Sequence, residues 1–137
     1  MNIELTKILH EGNHSLVVAR DGEIRTYDGC GVSDLLRLLD EDDAPLRGAE
    51  IADKVVGKAA AALMIAGDVA RVNADVVSSS ALALFNRSSV HVSCNIVTPY
   101  IVNRKGTGMC PLELRCMDCS TAGECIAEIR AFFAEKE

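Results

Sequence analysis

Residues 48–67, GAEIADKVVGKAAAALMIAG, read as one long helix around which the other elements pack. At 3.6 residues per turn Ile51, Val55, Ala59, Ala62 and Ala66 share a face, widened by Val56 and Leu63, and that face is core. The opposite face begins polar, with Asp53, Lys54, Gly57 and Lys58, and two turns later carries Ala61, Met64 and Ile65. The helix is therefore expected to be buried all round in its C-terminal half and charged only near its start. Free backbone N–H groups and the positive end of the helix dipole make such a start an anion site, and the two lysines add to that bias. The plainer alternative is a first turn of ordinary charges, with Lys58 reaching solvent along its methylenes.

Working towards the N-terminus, Ser15 to Arg20 and Glu23 to Tyr27 are strands joined by Asp21-Gly22, a two-residue hairpin signal. Before them, Asn2 to His10 form a short amphipathic helix closed by Gly12. After them, Ser33 caps a helix with apolar Leu35, Leu36, Leu38 and Leu39. The acidic run Asp40 to Asp43 is a solvated turn.

Working towards the C-terminus, Val72 to Val77 is a buried strand, and Ser78, Ser79 and Ser80 cap a helix with Ala81, Leu82, Leu84 and Phe85 inward. Val90 to Val97 is a further strand, and Tyr100 to Asn103 continues extended after Pro99. Pro111 starts a helix with Cys110 as N-cap, and Thr121 with Glu124 has capping-box spacing at the start of a closing helix. Strands alternating with helices imply a single α/β sandwich over residues 1–137, ending in a cysteine-rich helical tail at about 114–137.

The 137 residues are enough to bury a core without staples, built from Ala, Val, Leu and Ile because aromatics make up only 4% and Trp is absent. No apolar run reaches the 18 residues of a membrane span, and residues 1–11 have no apolar signal core. A cytoplasmic protein with reduced thiols is the expectation. The net charge of −6 is uneven: residues 1–50 carry 11 acidic and 5 basic side chains, residues 51–115 carry 4 and 7, and residues 116–137 carry 5 and 2. A positive middle inside an acidic chain suits a small anion and argues against nucleic acid. A homo-oligomer is compatible with this composition.

Chemistry is expected in two places. Residues 103–109, NRKGTGM, combine Arg104 and Lys105 with the flexible Gly106-Thr107-Gly108 backbone ahead of a helix start, the parts of an anion cradle without a Walker or Rossmann fingerprint. With Asp53, Lys54, Gly57, Lys58 and Asn103 they make the ligand-binding set of the leading reading. Cys110, at a helix N-terminus beside cations, is the nucleophile of a second reading, with Glu113 as acid/base or as acceptor of the Cys110 N–H. Cys110, Cys116, Cys119 and Cys125 form C-x5-C-x2-C-x5-C, which raises zinc or iron–sulfur binding as a third. His10, His14 and His91 are not tied to any of these by sequence.

The segments ADKVVGKAAAALM, ADVVS, TPYIVNR and GTGMCPLE, in that order, resemble the uncharacterised domain-of-unknown-function family 1893, over about Ser15 to Glu113. Its signature positions correspond to Asp53, Lys54, Gly57, Lys58, Asn103, Arg104, Gly106, Cys110, Pro111 and Glu113. The resemblance implies a cytidine-deaminase-like fold, a three-layer α-β-α sandwich with a mixed sheet of about five strands. Deaminases place zinc ligands and a proton-shuttling Glu at two adjacent helix starts. The corresponding places here read Ala52-Asp53-Lys54 and Ser78-Ser79-Ser80, so no deaminase-type zinc is expected, and any other cofactor is unknown.

Overall fold

The computed structural model describes residues 3–29, 31–102 and 105–135. The elements run α1 (Ile3–Glu11), β1 (Leu16–Arg20), β2 (Glu23–Tyr27), α2 (Gly31–Leu39), β3 (Glu50–Val56), α3 (Lys58–Ala66), β4 (Arg71–Ser78), α4 (Ser79–Asn86), β5 (His91–Thr98), α5 (Pro111–Cys116) and α6 (Ala122–Glu135). The five strands form one open mixed sheet in the order β2-β1-β3-β4-β5. β1 is antiparallel to β2 and β3, whereas β3, β4 and β5 are parallel, joined by the crossover helices α3 and α4. None of the described helices is long and apolar enough to cross a membrane.

The expected long helix over residues 48–67 is the main correction. Its first half is β3 and only its second half is helical, with Gly57 in extended backbone between them (φ −93°, ψ −179°). The physical reason is that Ile51, Val55 and Val56 are β-branched and sit in an interior strand, where burial of the consecutive Ile51, Ala52 and Asp53 erases the period-2 signal; Val55, expected in the core, is exposed. The alanine run that follows has no such bias and coils into α3, buried from Lys58 to Met64. Two smaller corrections concern a helix start and an extended run. Ser33 lies in the first turn of α2 instead of capping it, and of the extended run after Pro99 only Val102 pairs, with Met109, while Asn103 lies outside the described residues.

The hairpin forms as expected, with positive φ at both Asp21 (52°) and Gly22 (81°), the geometry of a type I′ turn. Alternate residues of β1 then feed two separate apolar clusters: Leu16 and Val18 join the large one, Val17 the small one. The small cluster is the α1 face, where Leu5 and Leu9 meet Val17 and Ala52. The large cluster fills the other face, where α3 packs against α2, α4, α5 and α6.

One irregularity crosses the parallel strands. Ile51 and Val56, five residues apart, share the large cluster, as do Ala74 and Val77, three apart. Strict alternation puts residues of odd separation on opposite faces, so each strand reverses its alternation once. The register passes from Asp53↔Ala74 to Val55↔Val76, and from Ala74↔Cys94 to Val76↔Ile96, skipping one row. In β3 the cause is Asp53, whose Oδ1 accepts the Val55 N–H at 3.3 Å and draws the backbone into a side-chain turn around Lys54. Val56 thereby returns to the core and the chain enters α3 through Gly57.

Candidate functional site

The starts of α3 and α4 lie beside each other at the carboxyl ends of β3 and β4, the place where open α/β sheets receive ligands. Ser78, fully buried, caps α4 as expected, its Oγ accepting the Ala81 N–H at 3.2 Å. The start of α3 has no side-chain cap of its own. Glu113 fills that role from α5: its Oε1 accepts the Lys58 N–H at 2.7 Å and the Ser78 Oγ–H at 3.4 Å, and its Oε2 accepts the Ile101 N–H at 3.0 Å. The carboxylate is 5% exposed, so it replaces water for the Lys58 and Ile101 N–H groups, while Ser78 Oγ also lies 3.2 Å from Ser80 Oγ. Gly57 is glycine because a Cβ there would stand 3.0 Å from Glu113 Oε1 and 3.1 Å from Ile101 Cγ1. The expectation that Glu113 holds the Cys110 N–H is therefore wrong; that group donates to the Ile101 carbonyl at 2.7 Å.

The two lysines do not meet. Lys54 is on β3, and its Nζ donates to Asn13 Oδ1 at 2.7 Å in the loop that follows α1. Lys58, 7% exposed, sends its ammonium the other way, donating to the Cys119 carbonyl at 2.5 Å and the Met117 carbonyl at 3.3 Å. It thus satisfies carbonyls left open where α5 ends, and it is bound to the chain instead of facing solvent. Lys105, Gly106 and Thr107 are exposed and Gly108 is half-buried, with Gly106 at φ 70°. Asn103 and Arg104 lie outside the described residues.

Asp53 is 6% exposed on β3 beside the start of α2, with Oδ2 3.8 Å from where a Cβ of Gly31 would lie. Burial pushes its carboxyl up to about 7, against weaker opposition from the Val55 and Lys54 N–H groups it accepts. Asp34 is also buried and its Oδ2 has no hydrogen bond among the described residues, while Oδ1 accepts from Arg37 at 2.8 Å.

Cys110 caps α5 without a side-chain hydrogen bond. It also lies six positions before Cys116 across α5, about 9 Å of helix rise, so the four tail cysteines do not close on one point. Cys116, Cys119 and Cys125 do gather. Cys116 Sγ donates to the Cys125 carbonyl at 3.9 Å, and hydrogen bonding from Cys116 first, and from Cys119, holds the Cys125 thiol down to about 7. The bond to Cys125 raises Cys116, and burial raises Cys119. Among the described residues no three His, Cys, Asp or Glu side chains are placed to hold a metal ion.

Two hollows lie away from these groups. One of about 250 Å³ is lined by Arg20, Glu23, Arg25, Asp43 and Pro45, and another of about 490 Å³ lies between α5 and α6 against Leu114, Arg115 and Phe132.

A family model described as TM1506, domain of unknown function (DUF1893), matches residues 4–133. The chain belongs to the DUF1893 family. A solved DUF1893 family protein, TM1506 from Thermotoga maritima, superposes with a TM-score of 0.84 at 26% identity, over 96% of this chain and 91% of that one. No curated protein matches the chain. Of the DUF1893 signature positions read from sequence, the structure joins Gly57, Lys58 and Glu113 in one buried network and puts Lys54 outside it. What sequence reasoning missed was the strand-Gly-helix reading of VVGKAAAA, which is the signal that places Gly57 opposite Glu113.

Proposed function

We propose that this DUF1893 protein binds a small anion, a nucleotide or another phosphorylated metabolite, at the carboxyl ends of β3, β4 and β5. The observation that carries this reading is Glu113: the chain's own carboxylate rests on the start of α3, taking three N–H and O–H donors, which marks the spot as one that favours negative charge. The ligand would lie beside that carboxylate, between the start of α4 at Ser79 and Ser80 and the exposed loop of Lys105 to Gly108, flanked in sequence by Asn103 and Arg104. Lys58 acts as an internal brace, and Lys54 is outside the site.

The strand order β2-β1-β3-β4-β5 with three parallel strands supports reading the fold as cytidine-deaminase-like. The groups at the two helix starts, Gly57, Lys58 and Ser78, include no thiolate or imidazole, and the Lys58 ammonium lies in the same network, so they do not fit the zinc of a deaminase.

A thermal-shift panel of nucleotides, sugar phosphates and acidic metabolites tests the proposal on wild type, Lys54→Ala and Lys105→Ala proteins. A compound at about 100 times its Kd adds about 2.7 kcal/mol of stability. The expected result is a shift kept in Lys54→Ala and reduced in Lys105→Ala. Loss of the shift in Lys54→Ala alone, or no shift with any compound, would overturn it.

A further inference from the structure

The two edges of the sheet are built differently. β2 is a guarded edge: Glu23 and Arg25 lie along it, and Arg25 pairs with Glu23 and with Glu41 of the loop after α2. β5, at the opposite edge, reads HVSCNIVT and carries no Asp, Glu, Lys, Arg or Pro over its eight residues. Charge and proline are what ordinarily keep an edge strand from pairing with another chain. β5 pairs with β4 on its inner side, and no strand among the described residues pairs with its outer side. Apolar surface gathers at the same edge, where Ile96 is 58% and Val97 48% exposed. Val55, Val76 and Ile96 stand in one row across β3, β4 and β5. Their chain neighbours Val56 and Val77 are in the large cluster, so this row lies on the opposite face. There α1 lies over β1 and β3 and reaches β4 through the His10–Asp75 pair, leaving Val55 and Ile96 to solvent.

The pattern of β5 also matches itself. Val92 and Cys94 pack against the large cluster, and Val97 stands in row with Val77 of that cluster, so these three share one face. Ser93, between Val92 and Cys94, and Ile96, beside Val76, share the other. A second β5 laid antiparallel about a twofold axis between Cys94 and Asn95 sets Val92 against Val97 and Ser93 against Ile96, each pair on a common face. Moving the register by one residue in either direction sets Ile96 against Val92 or Cys94, which point the other way. In a chain of net charge −6 this neutral strand is where two copies meet without opposing like charges. It also offers no charge by which an acidic or basic peptide would be selected. We propose that the chain forms a twofold dimer by antiparallel pairing of β5 with β5 of a second copy, joining the two sheets into one. The carboxyl ends of the parallel strands then point in opposite directions in the two copies. Each copy keeps its own anion site, and the dimer stands independently of ligand binding.

Sedimentation equilibrium of the full chain, from micromolar to millimolar concentration, tests this and is expected to reach twice the chain mass. Ile96→Lys and Val97→Lys, each at an exposed position, should halve that mass and leave the circular dichroism unchanged. Ile24→Lys, exposed on the guarded edge, should leave the dimer intact. Hydrogen exchange adds a readout confined to the strand: the outward amides of β5 should exchange slowly in the wild-type dimer and faster in Val97→Lys. Should a lysine variant unfold, the wild-type exchange pattern decides, and fast exchange of the outward β5 amides at millimolar concentration would overturn the proposal. A wild-type monomer at that concentration, including one whose β5 takes up a foreign peptide, would overturn it as well. So would a dimer that survives both lysines.

Discussion

Replacing Asp53 with Asn should make the protein more stable at neutral and alkaline pH and remove part of its pH dependence. In the folded chain burial holds the Asp53 proton up to about pH 7, whereas the unfolded chain releases it near the ordinary value of 3.8. Between those values the folded state binds the extra proton, so unfolding becomes easier as pH rises, by about 1.4 kcal/mol per unit. The window spans about three units, which sets an upper magnitude of about 4 kcal/mol, fully expressed above pH 7 and absent below 3.8. Asn has the same shape, its Oδ1 still accepts the Val55 N–H that shapes β3, and it never ionises. Urea unfolding of both proteins at pH 4, 6 and 8 isolates the effect, because every other titrating group is common to the pair. Wild type should lose stability relative to Asp53→Asn as pH rises. Equal pH slopes, or a variant less stable at pH 8, would refute the burial argument.

Glu113→Ala should cost about 3 kcal/mol or more, because it strands the Lys58 and Ile101 N–H groups in a dry site; chemical denaturation reads it directly. A free-energy loss below about 1 kcal/mol would mean that water replaces the carboxylate. Thr121→Ala removes the acceptor of the Glu124 N–H and should lower stability by about 1 kcal/mol, with faster amide exchange in the first turn of α6 as the local readout.

The hairpin, α4 with its Ser78 cap, and the Pro111 and Thr121 helix starts were legible because each rests on local chemistry: a turn type, a cap, a fixed φ. The central strand was not. Ile51, Val55 and Val56 fall on one helical face as readily as in an interior strand, and only pairing with β1 and β4 decides between them. That one error moved Lys54. A helix puts Lys54 and Lys58 one turn apart, whereas the strand, the Asp53 turn and Gly57 carry them to different partners. Glu113 was singled out from sequence, but its partners come from residues 55 and 12 positions away, and no capping rule reaches that far. The thiol group was visible as a spacing, and the length of α5 decided which three of its four members meet.

The most direct test of the account is a backbone amide NMR titration of the wild-type protein with inorganic phosphate. The account predicts saturable, concerted shifts of Ser79, Ser80 and Lys105 to Gly108, beside the Glu113 carboxylate, with Lys54 and Asn13 unmoved. Shifts confined to Lys54 and Asn13, or to the hollow lined by Arg20 and Arg25, or none at all, would contradict it.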